Sequence, residues 1–166
     1  MEISKKSRVW IYQSNRPFSA QEAQIITASV NAFAGEWQAH GSKLAAKAEV
    51  RYHRFIILMV DEEQAGASGC SIDKSVNLMK QIEQETGVSL FDRFNIAYRD
   101  EADVKSCNRD EFEALIKAGK INEGTLVFNN LVQTLEELDE NWEIPLRNSW
   151  HAKVFGDLIN SKTPSI

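Results

Sequence analysis

The chain has 166 residues, which is a usual length for one domain. Apolar residues make up 43% of it and charged residues 26%, an ordinary globular composition that excludes a disordered, collagen-like or disulfide-stapled protein. The formal net charge is −5, whereas proteins that bind nucleic acid or a membrane surface usually present a basic surface. We therefore expect no nucleic-acid partner.

Targeting and membrane signals are not visible in the sequence. Residues 1–8 are polar, and the longest apolar run, 55–60, is far shorter than the roughly 20 residues of a membrane span. Two cysteines, Cys70 and Cys107, are too few for a disulfide framework or a four-cysteine zinc site. These features predict a cytoplasmic protein with reduced thiols, no membrane insertion, no bound metal and no cofactor.

Strand and helix signals alternate along the first part of the chain. Arg8–Gln13 is rich in β-branched and aromatic residues, which predicts a strand. Ser19 and Glu22 form a capping-box pattern that is followed by apolar residues at helical spacing, so we predict that a helix begins here. Residues 47–60 predict either two strands that meet near His53 or one long bent strand, with 55–60 as a central strand.

The pattern continues with a second helix and a further strand. Apolar residues repeat at helical spacing over about 72–86, and Gly87 follows as a typical end of a helix. Residues 94–99 predict the next strand. The order strand, helix, strand, strand, helix, strand is that of a ferredoxin-like (βαββαβ) sheet with its helices on one face. We therefore predict an α+β fold with its core over about 8–100.

The remaining residues, about 101–160, predict a C-terminal α/β extension of the same domain. Asn108 is placed to cap a third helix, and 125–128 favours a short strand. Trp142 and Trp150 lie in an irregular polar stretch, where tryptophan either packs over the core or meets a partner. We predict one domain over 1–166 with a loose tail at 161–166.

The segment 66–75 is the strongest candidate site. It is rich in glycine and serine, and a predicted helix begins in it, so free backbone amides would point outward at the positive end of the helix dipole. Such a place can hold a phosphate, sulfate or carboxylate, and we predict a small anionic ligand there. The alternative is a tight turn in which a serine only caps the helix. The predicted binding residues are Gly66, Ser68, Gly69, Ser71 and Lys74.

Cys70 is the candidate reactive thiol, because a thiolate at a helix start is stabilised by the helix terminus. It would act as a nucleophile or a redox-sensitive group, and a nucleophile needs a base nearby. His151 is the candidate catalytic base, although a lone histidine is more often structural. The alternatives are a small core residue at Cys70 or a redox pair with Cys107.

Four segments resemble an uncharacterised bacterial protein family whose members often carry the automatic label "ABC transporter ATPase". They are 9–14, 51–58, 66–75 and 127–130, and the similarity runs over about 9–155. The resemblance implies no established activity and no catalytic residues. The chain also lacks a Walker A loop, because Lys74 follows an aspartate and not a glycine, so we do not expect ATP hydrolysis.

A second interpretation is a non-catalytic protein-interaction or regulatory module. Its contact surface would include the aromatic residues Trp142 and Trp150, and its partner could be a second copy in a homodimer. The sequence leaves open whether the protein is an enzyme, because fold-level analogy does not separate the two interpretations.

Overall fold

The computed structural model describes residues 2–63 and 65–160, and its contacts divide the chain into two compact units. The first unit consists of the described parts of Met1–Asp92 together with Gln133–Asp139. The second consists of Arg93–Val132 and the described part of Glu140–Ile166. We expected one domain with a core ending near residue 100. The division after Asp92 instead places the last predicted core strand, 94–99, in the second unit. The tail at 161–166 lies outside the described residues.

The described residues form a mixed set of helices and antiparallel strands, which confirms the α+β prediction. In chain order the elements are β1 (Arg8–Gln13), α1 (Ala20–Glu36), β2 (Gln38–Ala39), β3 (Ser42–Lys43), β4 (Ala45–Arg51), β5 (Phe55–Asp61), α2 (Gly69–Thr86), β6 (Ile96–Asp100), β7 (Asp103–Cys107), α3 (Arg109–Lys117), β8 (Leu126–Phe128), α4 (Leu135–Asn141), β9 (Glu143–Pro145) and α5 (His151–Asn160). None of these helices has both the length and the apolar character needed to cross a bilayer.

The first sheet is antiparallel and has the order β1-β5-β4. Tyr12 lies opposite Ile56 in the β1–β5 pair. All side chains of 55–60 are buried, which confirms the prediction of a central strand there. β4 and β5 are separate strands joined by a tight turn, in which the Arg54 amide donates to the Arg51 carbonyl at 3.0 Å. The two-strand interpretation of 47–60 is therefore correct.

α1 and α2 share one hydrophobic core with the same face of this sheet. α1 begins with the predicted capping box of Ser19 and Glu22, and α2 ends at the predicted Gly87, whose φ of 79° lies in the left-handed region. The core residues from the two helices and the central strand are Ile26, Val30, Ala34, Met79, Ile82, Ile56, Leu58 and Val60.

The strand that was predicted to complete this sheet lies elsewhere. β6 pairs with β7 and β8 in a second sheet. The place beside β1 is taken by the segment that precedes α4, because the Val9 amide donates to the Gln133 carbonyl at 2.9 Å and Thr134 bridges to Arg8. The three strands β1, β4 and β5 have the order of the first three strands of a ferredoxin-like sheet, but a four-stranded ferredoxin-like topology is not confirmed.

The second sheet is antiparallel and has the order β7-β6-β8-β9. Glu101, with a φ of 56°, lies in the tight turn that folds β7 back onto β6. β6 therefore pairs with its neighbour in sequence. α3 and α5 complete the core of this unit, which comprises Ile96, Tyr98, Phe112, Ile116, Ile121, Val127, Leu146 and Phe155.

Candidate functional site

The two serines of the predicted loop are used to start α2. Ser68 is the N-cap: its Oγ accepts from the Ser71 amide at 3.2 Å, while Ser71 Oγ accepts from the Ser68 amide at 2.7 Å. Ser71 Oγ also donates to the Ser68 carbonyl at 2.8 Å, and Ser71 is buried. The hydroxyl of Ser71, which was predicted to bind a ligand, is thus buried and bonded within the cap.

A carboxylate closes the other end of the loop. Glu62 Oε2 accepts from the Ala67 amide at 2.9 Å and lies 3.0 Å from the position that a Cβ on Gly66 would take. A side chain at position 66 would crowd the Glu62 carboxylate, so the glycine allows this carboxylate to lie against the loop. Because this negative charge already lies against the loop, it would repel an anion bound at Gly66.

Only the first two amides of α2 remain as donors at this helix start. No described residue accepts a hydrogen bond from the amide of Gly69 or Cys70. Cys70 is an exposed free thiol, and no described side chain forms a hydrogen bond with it. A donor pair and a thiol at a helix start do not by themselves make a binding site.

Lys74 lies one turn further along α2 and lines a groove between the end of α1, the β2–β3 hairpin and α2. The groove has a volume of about 590 Å³, within the range of roughly 300–1,000 Å³ that is usual for ligand pockets. We call it the Lys43–Lys74 groove, and it is lined by Phe33, Gly35, Glu36, Trp37, Gln38, Lys43 and Lys74.

Trp37 joins the groove to the start of α2. Its indole Nε1 donates to the Ser71 carbonyl at 2.8 Å, and the residue is only 2% exposed. The ring contacts Phe33, with centroids 4.9 Å apart, and Trp10, at 5.7 Å. This packing fixes the first turn of α2 against the end of α1, so the positions of the groove's helical residues are set by buried contacts.

The charges in the groove are of both signs. Lys43 and Lys74 are exposed, and neither forms a hydrogen bond or ion pair with a described residue. Glu36 contributes a carboxylate, and α1 ends here without a basic residue in its last turn, so its terminal carbonyls leave partial negative charge. The groove therefore combines two ammonium groups, which attract an anion, with a carboxylate and a helix C-terminus, which can accept hydrogen bonds from a ligand but repel negative charge.

Cys70 precedes Lys74 by four positions on α2, which places the two residues on one face of the helix. Both are exposed. The Cys70 thiol is thus one helical turn away from the Lys74 ammonium group of the Lys43–Lys74 groove. The sequence analysis did not predict this groove.

His151, the predicted catalytic base, is a buried residue. It belongs to the second unit, where it is 1% exposed, and its Nδ1 lies 2.7 Å from Ser149 Oγ. Its ring stacks on Trp150, with centroids 3.8 Å apart. Burial lowers the pKa of His151 to about 4, so the ring is neutral at neutral pH. This is the environment of a structural histidine.

Cys107 also belongs to the second unit, and both cysteines are free thiols. Burial, with a smaller contribution from Glu111, raises the pKa of the Cys107 thiol to about 11. The thiol is therefore protonated at neutral pH and a poor nucleophile. Among the described residues, no group of three or more His, Cys, Asp or Glu side chains could hold a metal ion.

Trp142 is buried, which corrects the prediction that it forms an exposed contact surface. It is 2% exposed, its Nε1 donates to Asn130 Oδ1 at 2.8 Å, and its ring lies edge-on to Phe128 at 4.9 Å. Trp150 is half-buried against His151. The interpretation of Trp142 as a residue that packs on the core is correct.

Comparisons with protein-family models, with curated proteins and with solved structures give no match for this chain. The resemblance to a bacterial family with an ATPase label stays a prediction. The groove residues Trp37, Gln38 and Lys43 were not predicted, because the short β2–β3 hairpin has no motif or periodicity that would indicate its partner in the fold.

Proposed function

We propose that the protein binds a small anionic ligand in the Lys43–Lys74 groove. The observation that carries this proposal is the placement of two exposed ammonium groups, without partners among the described residues, in one groove of ligand size. The site predicted at 66–75 is thereby shifted by one helical turn. Lys74 remains a binding residue, while Ser68 and Ser71 hold the helix in place.

The chemistry of lysine suits this role. Each ammonium group is a compact charge with three hydrogen-bond donors, which matches the oxygens of phosphate or carboxylate. Exposed ion pairs are weak individually, so we expect free inorganic phosphate to bind with a Kd on the order of 1 mM. A natural ligand would gain affinity from further contacts with Phe33 and Gln38.

The test is a titration of ¹⁵N-labelled protein with inorganic phosphate at constant ionic strength. We expect saturable shifts at the amides of Lys43 and Lys74 and at the indole of Trp37. A Lys43→Met/Lys74→Met variant removes both charges but keeps the apolar stems, and it should lose most of the binding.

Lys80→Met is the matched control, because Lys80 is exposed on the same helix and does not line the groove. It should bind phosphate like the wild type. Equal weakening in Lys80→Met would show nonspecific attraction and contradict the proposal. Saturable shifts at Gly69 and Cys70 that persist in the double variant would instead assign the site to the start of α2.

We further propose that Cys70 is the reactive thiol beside this site. In a Cys107→Ala background, the groove lysines should favour alkylation by iodoacetate, which is anionic, over neutral iodoacetamide. Replacing Lys74 with methionine should lower that ratio severalfold. An unchanged ratio would mean that the thiol does not share the electrostatic environment of the groove, and the proposal of a reactive Cys70 would be abandoned.

Two broader proposals accompany this function. We assign it to the cytoplasm, which the two free thiols support. We also propose that the first unit is a ferredoxin-like variant in which Gln133 and Thr134 occupy the fourth strand position. The strand order β1-β5-β4 and the packing of α1 and α2 on one face of the sheet support this proposal.

The alternative function, a protein-interaction module, is favoured by an apolar surface of the second unit. Phe94 is 72% exposed and Leu131 68%. Phe94 lies in the turn before β6 and Leu131 in the turn after β8, and these two strands are antiparallel neighbours in the sheet. A photo-crosslinking residue at position 94 should give one discrete adduct in cells, and no adduct would contradict this alternative.

A further inference from the structure

β4 is an open edge of the first sheet. It pairs with β5 on one side, and α1 packs over one of its faces. No other described strand pairs with it. A strand of this kind presents a row of backbone N–H and C=O groups that can pair with another chain. Its length, Ala45–Arg51, is sufficient for a stable interstrand ladder.

The side chains of β4 alternate between an apolar and a charged face. Ala46, Ala48 and Val50 face the helices and the core. The residues between them include Lys47 and Glu49, charges of opposite sign two positions apart on the other face. Such spacing makes the strand electrostatically complementary to an antiparallel copy of itself.

Charge complementarity and strand overlap together select one register, since centring on Val50 would also oppose Glu49 and Arg51 but would overlap only residues 49–51 of the two strands. Two antiparallel copies that keep their core faces on the same side must pair residues of like face. Centring the pair on Ala48 overlaps the whole of β4 and sets each Lys47 opposite Glu49 of the second copy, twice in the dimer. Centring on Lys47 would oppose two lysines, and centring on Glu49 would oppose two glutamates and set Lys47 against Arg51. The complete overlap and the favourable charges therefore coincide.

We propose that the protein forms a homodimer through β4, with the two-fold axis passing beside Ala48. The result is a continuous six-stranded antiparallel sheet of order β1-β5-β4-β4-β5-β1. The occupant of the edge is a second copy of this chain, because the strand's own charge pattern provides both halves of each Lys47–Glu49 pair.

Glu49 is available for such a pair. Its Oε1 is buried, lies 2.6 Å from Nη2 of Arg51 and makes no hydrogen bond to a described residue, but the side chain as a whole is 31% exposed, so the other carboxylate oxygen can meet Lys47 of the second copy. A carboxylate accepts several hydrogen bonds, so Glu49 can hold Arg51 on its own strand and Lys47 of the second copy across the interface.

Charge exchange tests the proposal. Sedimentation velocity over a range of protein concentrations should show a dimer for the wild type. Lys47→Glu and Glu49→Lys each place like charges in both cross-strand pairs and should weaken dimerisation about tenfold or more. The Lys47→Glu/Glu49→Lys variant restores opposite charges and should dimerise like the wild type.

Mixing the two single variants gives the sharpest readout. One copy then carries two glutamates and the other two lysines at these positions, so a heterodimer should form although neither homodimer does. The circular dichroism spectrum of each variant should match the wild type, since both positions lie at the sheet edge. A wild type that stays monomeric at millimolar concentration, or dimers indifferent to these exchanges, would overturn the proposal.

Hydrogen exchange provides a second measurement that does not depend on variants. The β4 amides that do not pair with β5 should be protected more strongly as protein concentration rises. Protection that is independent of concentration would overturn the dimer. Neither residue of the charge pair lines the Lys43–Lys74 groove, so failure of the dimer is distinguishable from failure of phosphate binding.

Discussion

At the residue scale, His151 shows how burial sets the charge of a side chain. Its ring lies between Trp150 and the aromatic core of the second unit, with a centroid distance of 6.2 Å to Phe112. Ser149 Oγ is its hydrogen-bond partner at 2.7 Å. A proton on this ring would be poorly solvated, which lowers the pKa to about 4 from the ordinary 6.5.

This burial predicts a pH dependence of the second unit. The unfolded chain binds a proton on His151 below pH 6.5, whereas the folded chain binds it only below about pH 4. Stability should therefore fall as the pH drops from 6.5 to 4, by about 3 kcal/mol in total. Urea unfolding at several pH values, followed through the amide signals of α5, measures this loss.

His151→Phe should flatten the pH profile over this range, because it removes the titrating group. His40→Gln is the control, since His40 is exposed, and it should keep the wild-type profile. Parallel profiles for the wild type and His151→Phe would contradict the assignment of the acid sensitivity to His151.

At the element scale, the start of α2 is a complete capping box. Ser68 and Ser71 exchange hydrogen bonds, and the Ser71 carbonyl accepts from the Trp37 indole. The helix start and the groove are therefore coupled through one buried residue. A substitution at this cap should lower the free energy of unfolding. It should change ligand binding only indirectly, as a consequence of that loss of stability.

Ser71→Ala should lower the free energy of unfolding by about 1 kcal/mol, because it removes the acceptor of the Ser68 amide in a buried cap. Chemical denaturation measures the loss, and phosphate affinity in the folded protein should stay within a factor of about two. Ser106→Ala, a serine substitution on the edge strand β7, provides a comparison. Unchanged stability with abolished phosphate binding would restore Ser71 as a ligand donor.

At the scale of the whole molecule, the chain leaves the first unit and returns to it. Gln133–Asp139 belongs to the first unit although its neighbours on both sides belong to the second. The Leu135 amide donates to the Ser7 carbonyl and the Glu136 amide to the Lys5 carbonyl, both at 2.9 Å. The segment Gln133–Asp139 therefore covers the edge of β1 that does not pair with β5.

Two leucines near this segment give a matched test. Leu138 is 2% exposed and Leu131 is 68% exposed. Leu138→Ala should cost roughly 2–4 kcal/mol because it leaves a cavity, whereas Leu131→Ala should change stability by less than about 0.5 kcal/mol. Urea denaturation compares them, and equal effects would mean that the returning segment does not stabilise the first unit.

Features that depend on near neighbours along the chain were predictable from the sequence. Each helix boundary at Ser19, Asn108 and Gly87 involves residues only a few positions apart. Their patterns can therefore be recognised in the sequence. The apolar run 55–60 likewise predicted a buried central strand, because a strand that is apolar on both faces is buried on both faces.

The pairing of these elements in space was not predictable from the sequence. β6 could pair with β1 or with β7, and the segment beginning at Gln133 could lie anywhere within reach of its linkers, since propensity does not specify partners. The groove joins Lys43 to Lys74 through the packing of Trp37. These contacts link residues far apart in sequence, and their free energy depends on the packing of the complete core, which no local pattern encodes.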